Sequence, residues 1–270
     1  MRWMSHESII ENEDLYHQRD DLSQSKIKDH IKSPELFFRR HVAKVDKPES
    51  KSCYDMGKEV HESVLLRGSV GGFKVIPAEV LSKDGKKAGG AWKEFEKQNE
   101  GTLLFKLEEA ERFDQILDAI MSHPVASQMM AESPTAVSEM TLRSRVAVGT
   151  DAEECIIKSR VDRLVKPGEV WDLKTTGDLD RMKWTVRDFG YDIQAYVYGA
   201  AADAHFGIEG TEVTFVVVET KSPFRVRIWK PTRETLAVAA DKTALAVADI
   251  LDRRRSGEWN SYDWCAINWF

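Results

Sequence analysis

Three neighbouring segments in the second half of the chain constrain its fold more than any other feature. Residues 137–148, 155–165 and 169–175 are rich in β-branched side chains and alternate between apolar and polar positions, which is typical of strands. The last two segments are joined by Lys166-Pro167-Gly168-Glu169, a sequence that favours a tight turn. The sequence therefore predicts a three-strand meander, against which the remaining elements have to pack.

Helical patterns precede and follow this meander. Ser23 or Ser25 can cap a first helix, and Pro34 fits the first turn of a second one. Further helices are predicted around residues 55–66, 92–100, 108–123, 190–206 and 234–255, and further strands at 212–220 and 224–229. This order predicts an α/β fold, a mixed central sheet flanked by helices, with an N-terminal helical elaboration.

The domain organisation follows from the same pass along the chain. Residues 1–20 are polar and are interpreted as a poorly ordered N-terminus. Residues 21–270 are interpreted as a single domain. Its first part, 21–135, is mainly helical, and its second part, 136–270, contains the sheet and the closing helices.

Charge alone gives no strong indication of a nucleic-acid partner. The formal net charge is −6, from 39 basic and 45 acidic residues, which argues mildly against one. Binding depends on local charge, however, and basic clusters are present. They are Arg39-Arg40-His41, Lys83 with Lys86 and Lys87, Arg143 with Arg145, and Arg253-Arg254-Arg255. Each cluster is interpreted as a solvated face in the first place, so binding DNA would require the fold to gather basic groups into one channel.

Composition disfavours several classes of protein. No apolar run approaches the ~20 residues of a bilayer-spanning helix, and the acidic N-terminus lacks the apolar region of a secretory signal. Cys53, Cys155 and Cys265 are far apart and form no C-x-x-C pair, which disfavours a zinc ribbon or an iron–sulfur cluster. We therefore expect a cytoplasmic protein with idle thiols and no membrane partner.

The strongest chemical signal is Asp172-Leu173-Lys174 in the third strand of the meander. Alternate side chains of a strand share a face, so Asp172 and Lys174 point the same way. Taken alone, this pair is read as a surface ion pair on an edge strand. Asp162 lies ten residues earlier on the preceding strand, and two carboxylates with a lysine at one sheet edge can form a site for a hard cation.

A shared site sets a condition on the register of the hairpin. Asp162 and Asp172 face the same way only if the residue numbers of each opposed pair in the hairpin add up to an even number. A regular two-residue Pro-Gly turn would not meet this condition, whereas a three-residue loop or a bulge would. The sequence therefore predicts such a loop or bulge near residues 166–169.

The order of these motifs resembles a known family. The segment VDRLVKPGEVWDLKTT looks like the PD-(D/E)XK nuclease signature, and more narrowly the chain resembles the RecE-type (exonuclease VIII-like) enzymes. Supporting segments are LSQSKIKDHIKSPELFFRR, MGKEVHESVLL, HPVASQMM with VSEM, FGYDIQAYVYG and FVVVETKSPFRVRIW. The resemblance spans residues 20–265, and it departs from the signature at Val161, where a proline is usual.

The resemblance implies a set of site residues. Asp162, Asp172 and the Leu173 carbonyl would hold one or two Mg²⁺ ions, for which Mn²⁺ substitutes, while Lys174 offers a charge beside the nucleophile. His61, from the G-x-x-x-H motif that begins at Gly57, would join the metal site, although a histidine on an apolar helix face is more often a core residue. Gln194 would hold the attacking water or the scissile phosphate. Glu139 is either a further metal ligand or a plain strand residue. The last candidates contact DNA or only pack within the fold: Tyr191, Tyr198, Thr175 and Thr176.

The function implied is hydrolysis of phosphodiester bonds from duplex DNA ends, 5′ to 3′, in recombination or repair. Relatives of this kind work with a single-strand annealing protein and form homo-oligomeric rings, so both are expected here. Three alternatives stay open: a structure-specific or single-strand nuclease with the same core, a restriction-like endonuclease, which the helical N-terminus disfavours, and a non-catalytic DNA-binding subunit that keeps the fold.

Overall fold

A mixed seven-stranded sheet forms the centre of the protein. The computed structural model describes residues 1–46, 52–65 (side chains from 55), 72–131, 133–149, 153–182 and 188–259. The strands of this sheet are β1 (Arg2–Ile10), β2 (Leu22–Ser23), β5 (Val137–Val148), β6 (Glu153–Lys166), β7 (Glu169–Thr176), β8 (Glu212–Glu219) and β9 (Val226–Trp229). Their order is β1-β5-β6-β7-β8-β9, with β2 paired to β6, while β3 (Phe73–Val75) and β4 (Leu103–Phe105) form a separate parallel pair.

The predicted meander is confirmed. Strands β5, β6 and β7 are antiparallel neighbours, and β8 then joins β7 in parallel. A parallel neighbour requires a crossover connection, and a helix supplies it here. Strand β8, EVTFVVVE, is buried along almost its whole length because helices cover both faces of the sheet.

Helices cover the two faces unequally. Their bounds are α1 (Glu13–Gln18), α2 (Gln24–Lys32), α3 (Pro34–Phe37), α4 (Ser52–Leu65), α5 (Gly90–Gln98), α6 (Leu107–Ser122), α7 (Tyr191–Phe206) and α8 (Arg233–Ser256). One hydrophobic core joins α2, α3, α7 and α8 to one face. A second core joins α4 and α6 to the other face, around Trp171 and Leu173 of β7. The predicted α/β architecture, a mixed sheet flanked by helices, is therefore confirmed.

The hairpin between β6 and β7 contains the irregularity that the site requires. Lys166 pairs with Glu169, so the loop is the two-residue turn Pro167-Gly168, with Gly168 at φ +85°. The register shifts between Leu164 and Lys166. Beyond this shift the residue numbers of each pair add up to an even number, as for Arg163 with Trp171. The predicted bulge is confirmed.

The N-terminus differs from the expectation. Residues 1–20 were interpreted as poorly ordered, but they form β1, which pairs antiparallel with β5, and α1. Polar side chains hold this edge: Arg143 binds Glu7 and Asp21, and the Lys158 ammonium, buried under α1, donates to the carbonyls of Tyr16 and Arg19. Because these partners lie more than a hundred residues away, the local sequence gives no sign of them.

Among the described residues, ion pairs with acids neutralise several members of the basic clusters. Arg39 pairs with Asp46, Arg40 with Asp29, Arg145 with Glu154, and Arg255 with Asp252. The interpretation as solvated faces fits exposed members such as Arg145 and Arg255. It is wrong for Arg143 and Arg253, which are largely covered and form ion pairs within the fold. Among the described residues, no helix is long and apolar enough to cross a membrane.

Candidate metal centre and active-site cleft

The candidate site lies where the backbone pairing of β5, β6 and β7 is interrupted at neighbouring positions of the three strands. Glu139 on β5 and Asp162 on β6 occupy opposed positions between the pairs Ser138–Arg163 and Met140–Val161, but they do not pair themselves. On the other side of β6, the last described pair before this level is Arg163–Trp171, so Asp172 comes next on β7. Three acids thus stand side by side on adjacent strands, where the backbone ladder leaves room for side chains.

Glu139 is held in a strained backbone conformation. Its φ of +56° is in the left-handed region, which costs a residue with a side chain on the order of 1–3 kcal/mol. Its carboxylate forms an ion pair with Arg160 of β6. Burial, with the nearby Asp162 carboxylate, raises the pKa of Glu139 above its usual value. A strained and crowded acid on an otherwise regular strand is typical of a functional position.

Asp162 and His61 form the centre of the site. Asp162 Oδ2 accepts from the Leu173 backbone N–H at 2.7 Å, in place of a ladder bond, and lies 3.0 Å from His61 Nε2. The same Nε2 is 3.0 Å from the Leu173 carbonyl oxygen. Burial disfavours a charged imidazole, but the Asp162 carboxylate outweighs it and raises the pKa of His61 to about 9. The ring is therefore protonated at neutral pH and donates to both oxygens.

These groups fit a divalent cation. One ligand atom each from His61, Glu139 and Asp162 lies within 4.8 Å of the others. Ligands at about 2.1 Å in an octahedron lie about 3.0 Å from their neighbours, which is the separation of His61 Nε2 from Asp162 Oδ2 and from the Leu173 oxygen. The set of two carboxylates, one carbonyl and one imidazole suits Mg²⁺ or Mn²⁺, and the imidazole favours Mn²⁺.

Asp172 adjoins this group without belonging to it. Its carboxylate is fully buried, with Oδ1 accepting from Gln194 Nε2 at 2.5 Å and the Lys174 ammonium against Oδ2. Burial and the Asp162 carboxylate raise the pKa of Asp172 to about 6. Burial alone would lower the pKa of Lys174, but the two aspartates raise it, so this ammonium stays charged. Asp172 and Lys174 thus lie beside the group of His61, Glu139 and Asp162. Apart from the Lys174 ammonium, Asp172 Oδ2 has no partner among the described residues.

A glycine brings α4 close enough for His61 to reach the sheet. A Cβ on Gly57, one helical turn before His61, would lie 2.9 Å from Thr175 Oγ1 on β7. Only a residue without a side chain allows this approach. The G-x-x-x-H motif therefore has a physical role: the glycine sets the spacing between helix and strand, and the histidine uses it.

Helix α7 supplies the other wall through residues at helical spacing. Tyr191 lines the cleft, with the Lys174 ammonium 5.4 Å from its ring centroid. Gln194 is buried against Asp172, so it orients that carboxylate within the protein. Tyr198 is also buried, and its hydroxyl hydrogen-bonds the Gln194 side chain. Since Tyr198 is enclosed by the core, the structure does not support the DNA contact expected of it.

Glu139 and Asp162 line a cleft of about 1270 Å³, whereas Asp172 is fully buried and does not line it. Lys174, Thr175 and Thr176 line the same cleft. Other residues of the cleft were not predicted. Arg160 lines the cleft two positions before Asp162 on β6, a spacing that could have indicated it. The β1–α1 segment supplies residues such as Tyr16, which no local pattern in the sequence indicates.

Comparison with known proteins agrees with this geometry. The model of a family described as "PDDEXK-like domain of unknown function (DUF3799)" matches residues 23–266. The chain belongs to this family. The fold class inferred from the motif order, a PDDEXK-like domain with a mixed sheet flanked by helices, is confirmed. A search of curated proteins gave no match.

Solved structures support the same PDDEXK-like fold. A protein from Eubacterium rectale, described as a candidate exonuclease, is 17% identical, covers 95% of this chain and 91% of its own length, and superposes with a TM-score of 0.65. At this identity the likeness shows the fold alone. SSO0001 is 12% identical and covers 73% of this chain and 86% of its own length. Scheffersomyces stipitis Rai1, in complex with (3′-NADP)⁺ and calcium, is 14% identical and covers 87% of this chain and 69% of its own length. Both superpose with a TM-score of only 0.29, so neither carries an argument.

Proposed function

We propose that the protein is a metal-dependent DNA exonuclease that hydrolyses phosphodiester bonds from DNA ends. The observation that carries this proposal is the row of Glu139, Asp162 and Asp172 on adjacent strands. Glu139, Asp162, His61 and Lys174 line one cleft, and Asp172 is buried beside them. A buried ion pair needed only for stability would not require a strained glutamate, a carboxylate with a raised pKa and a charged imidazole at the same point.

The residues divide the chemistry among them. A divalent cation held by Asp162, Glu139, His61 and the Leu173 carbonyl, with Asp172 adjacent, would supply Lewis-acid activation of water and phosphate. Lys174 remains an ammonium, so it stabilises negative charge on the nucleophile and the phosphate and does not act as a base. Gln194 fixes the rotamer of Asp172 through its amide.

The proposed substrate position follows from the cleft walls. Thr175 and Thr176 offer hydroxyl donors, and Arg160 offers a guanidinium shared with Glu139. Contacts of this kind bind phosphate and carry no base information, so we expect low sequence specificity. The β1–α1 segment, Phe189 and Tyr191 also line the cleft, and we propose that the substrate strand lies against them.

Polarity, partners and assembly are part of the proposal by family resemblance alone. We propose 5′-to-3′ degradation of duplex ends in recombination or repair, cooperation with a single-strand annealing protein, a homo-oligomeric ring and a cytoplasmic location. Light scattering on the purified chain tests the ring, and a monomer at micromolar concentration would contradict it.

The test of the activity is a cleavage assay. Linear duplexes labelled at the 5′ or the 3′ end are incubated with Mg²⁺, Mn²⁺ or EDTA, beside end-blocked duplexes, a nicked circle and single strands. We expect metal-dependent loss of the 5′ label first and no cleavage of blocked ends. Lys174→Ala should abolish cleavage with the fold intact by circular dichroism, whereas Lys83→Ala, on an exposed loop, should cleave normally. Full activity of Lys174→Ala would overturn the assignment.

A further inference from the structure

A stack of three aromatic rings leads from the catalytic lysine to the mouth of the cleft. Phe215 of β8 stacks on Tyr191 at a centroid distance of 5.7 Å, and Tyr191 stacks on Phe189 at 6.1 Å with 21° between the ring planes. The outermost ring, Phe189, is 59% exposed and lines the cleft. Single exposed apolar side chains are ordinary on protein surfaces. Phe189 differs because it ends an ordered stack inside the candidate site.

The stack lies within one nucleotide or two of the reacting groups. The Lys174 ammonium is 5.4 Å from the Tyr191 centroid and 6.0 Å from that of Phe215. A flat group placed on Phe189 would therefore belong to the nucleotide whose phosphate reaches Lys174, or to its neighbour.

The position of Phe189 is fixed by the turn that begins α7. Gly190 has a φ of +61° and caps the helix, and its carbonyl accepts from the Gln194 N–H. A Cβ at this glycine would lie 2.6 Å from Cδ of Lys28, which packs beneath. The same Lys28 places its ammonium 5.9 Å from the Tyr191 centroid. The chain thus forms a preformed support that holds a large apolar ring in solvent, where its exposure contributes nothing to folding.

We propose that Phe189 is a stacking platform for an unpaired nucleobase of the substrate strand. The protein then acts on single-stranded or frayed ends, and a duplex end has to open by at least one base pair before it is cut. A base inside a duplex has both faces covered by its neighbours, and a paired terminal base is held in the plane of its base pair. An unpaired base is free to turn its face onto the ring while its phosphate reaches Lys174. This inference rests on the proposed function and adds to it the state of the substrate end.

Binding is measured apart from cleavage in an Asp172→Asn background with Ca²⁺. The probes are a single-stranded DNA oligonucleotide carrying 2-aminopurine at each of its last four positions, and the same sequence as a blunt duplex or with unpaired ends. Phe189→Ala is compared with Phe189→Trp and with Leu245→Ala, a matched loss of an exposed apolar side chain on α8.

We expect Phe189→Ala to weaken single-strand binding about 5- to 150-fold, the range that corresponds to 1–3 kcal/mol for one base–aromatic stack. The 2-aminopurine signal should change at one position only, Phe189→Trp should restore it, and Leu245→Ala should change neither. An unpaired end should bind more tightly than a blunt end. Equal binding by Phe189→Ala and Leu245→Ala, or no binding of single strands by the parent, would overturn the inference.

The two proposals fail separately. If the wild-type chain cleaves DNA normally while Phe189→Ala binds as the control does, only the stacking platform is wrong. If no substrate is cleaved while the 2-aminopurine response still depends on Phe189, the chain binds unpaired bases and the nuclease proposal is wrong.

Discussion

Two buried carboxylates on adjacent parallel strands behave in opposite ways. Glu219, near the end of β8, accepts from the Leu179 N–H and forms an ion pair with Arg225. Chiefly because of the Arg225 hydrogen bond, its pKa falls to about 2. Asp172, on the neighbouring β7, shares its surroundings with Asp162, and burial with this second charge raises its pKa to about 6. A satisfied acid stabilises the fold, whereas a crowded acid is available to bind a cation.

Neutralising each acid should separate the two roles, and this is the largest effect expected. Asp172→Asn should lower cleavage by about 10³-fold, equivalent to roughly 4 kcal/mol of lost transition-state stabilisation, while the melting temperature without metal stays the same or rises because a crowded charge is removed. Glu219→Gln should do the reverse: near-normal cleavage and a Tm lower by roughly 5 °C. Steady-state cleavage and calorimetry measure the two, and a loss of both properties in both variants would remove the distinction.

The pH dependence of cation binding gives a second, smaller test of the difference between the crowded site acids and Glu219. His61, with a pKa of about 9, has to lose its proton before it can bind a cation, so protons compete with the metal below that pH. Mn²⁺ affinity should therefore rise by up to about 10-fold per pH unit between pH 7 and 9, and Asp172 should add to the slope below about pH 6.

Titration calorimetry in two buffers of different ionisation enthalpy checks this through the protons released. His61→Gln should flatten the slope above pH 7. Glu219→Gln should keep it, because an acid with a pKa of about 2 is ionised throughout this range. An unchanged slope in His61→Gln would show that the histidine is not a ligand.

The smallest expected effect tests geometry without changing a charge. Gly57→Ala places a Cβ against Thr175 Oγ1, which should push α4 outward and move His61 from the Leu173 carbonyl. We expect Mn²⁺ affinity and cleavage to fall a few-fold, with about 1 kcal/mol or less lost in unfolding free energy. Adding Thr175→Ala removes the clashing atom and should restore much of the affinity. A double variant no better than Gly57→Ala would contradict the packing argument.

The sequence was most informative where local pattern and chemistry coincide. The meander, the turn at Pro167-Gly168, the α/β order and the pair Asp172–Lys174 depend on alternation and turn preferences within a few residues. The bulge was predicted from the register of the hairpin, because Asp162 and Asp172 can face one site only if the residue numbers of opposed pairs have an even sum. Ser23 was one of the two caps predicted for the first helix, with Ser25 as the other, and its hydroxyl accepts from the Lys26 N–H.

Other features depend on contacts that no local pattern contains. The polar strand β1 gains its stability from pairing with β5, and Lys158 supports α1 from across the fold, so residues 1–20 were misjudged. The sequence left Glu139 undecided, because its left-handed backbone and its ion pair with Arg160 exist only in the assembled sheet.

The sequence by itself determined which residues could carry the chemistry and in what order the strands present them. Only the tertiary structure decided what each acid does, because a carboxylate's pKa depends on the donors and charges that surround it. Asp172 and Glu219 are both acids on buried strands in the sequence. The fold gives Glu219 an arginine and backbone donors, and it gives Asp172 a second carboxylate and a lysine.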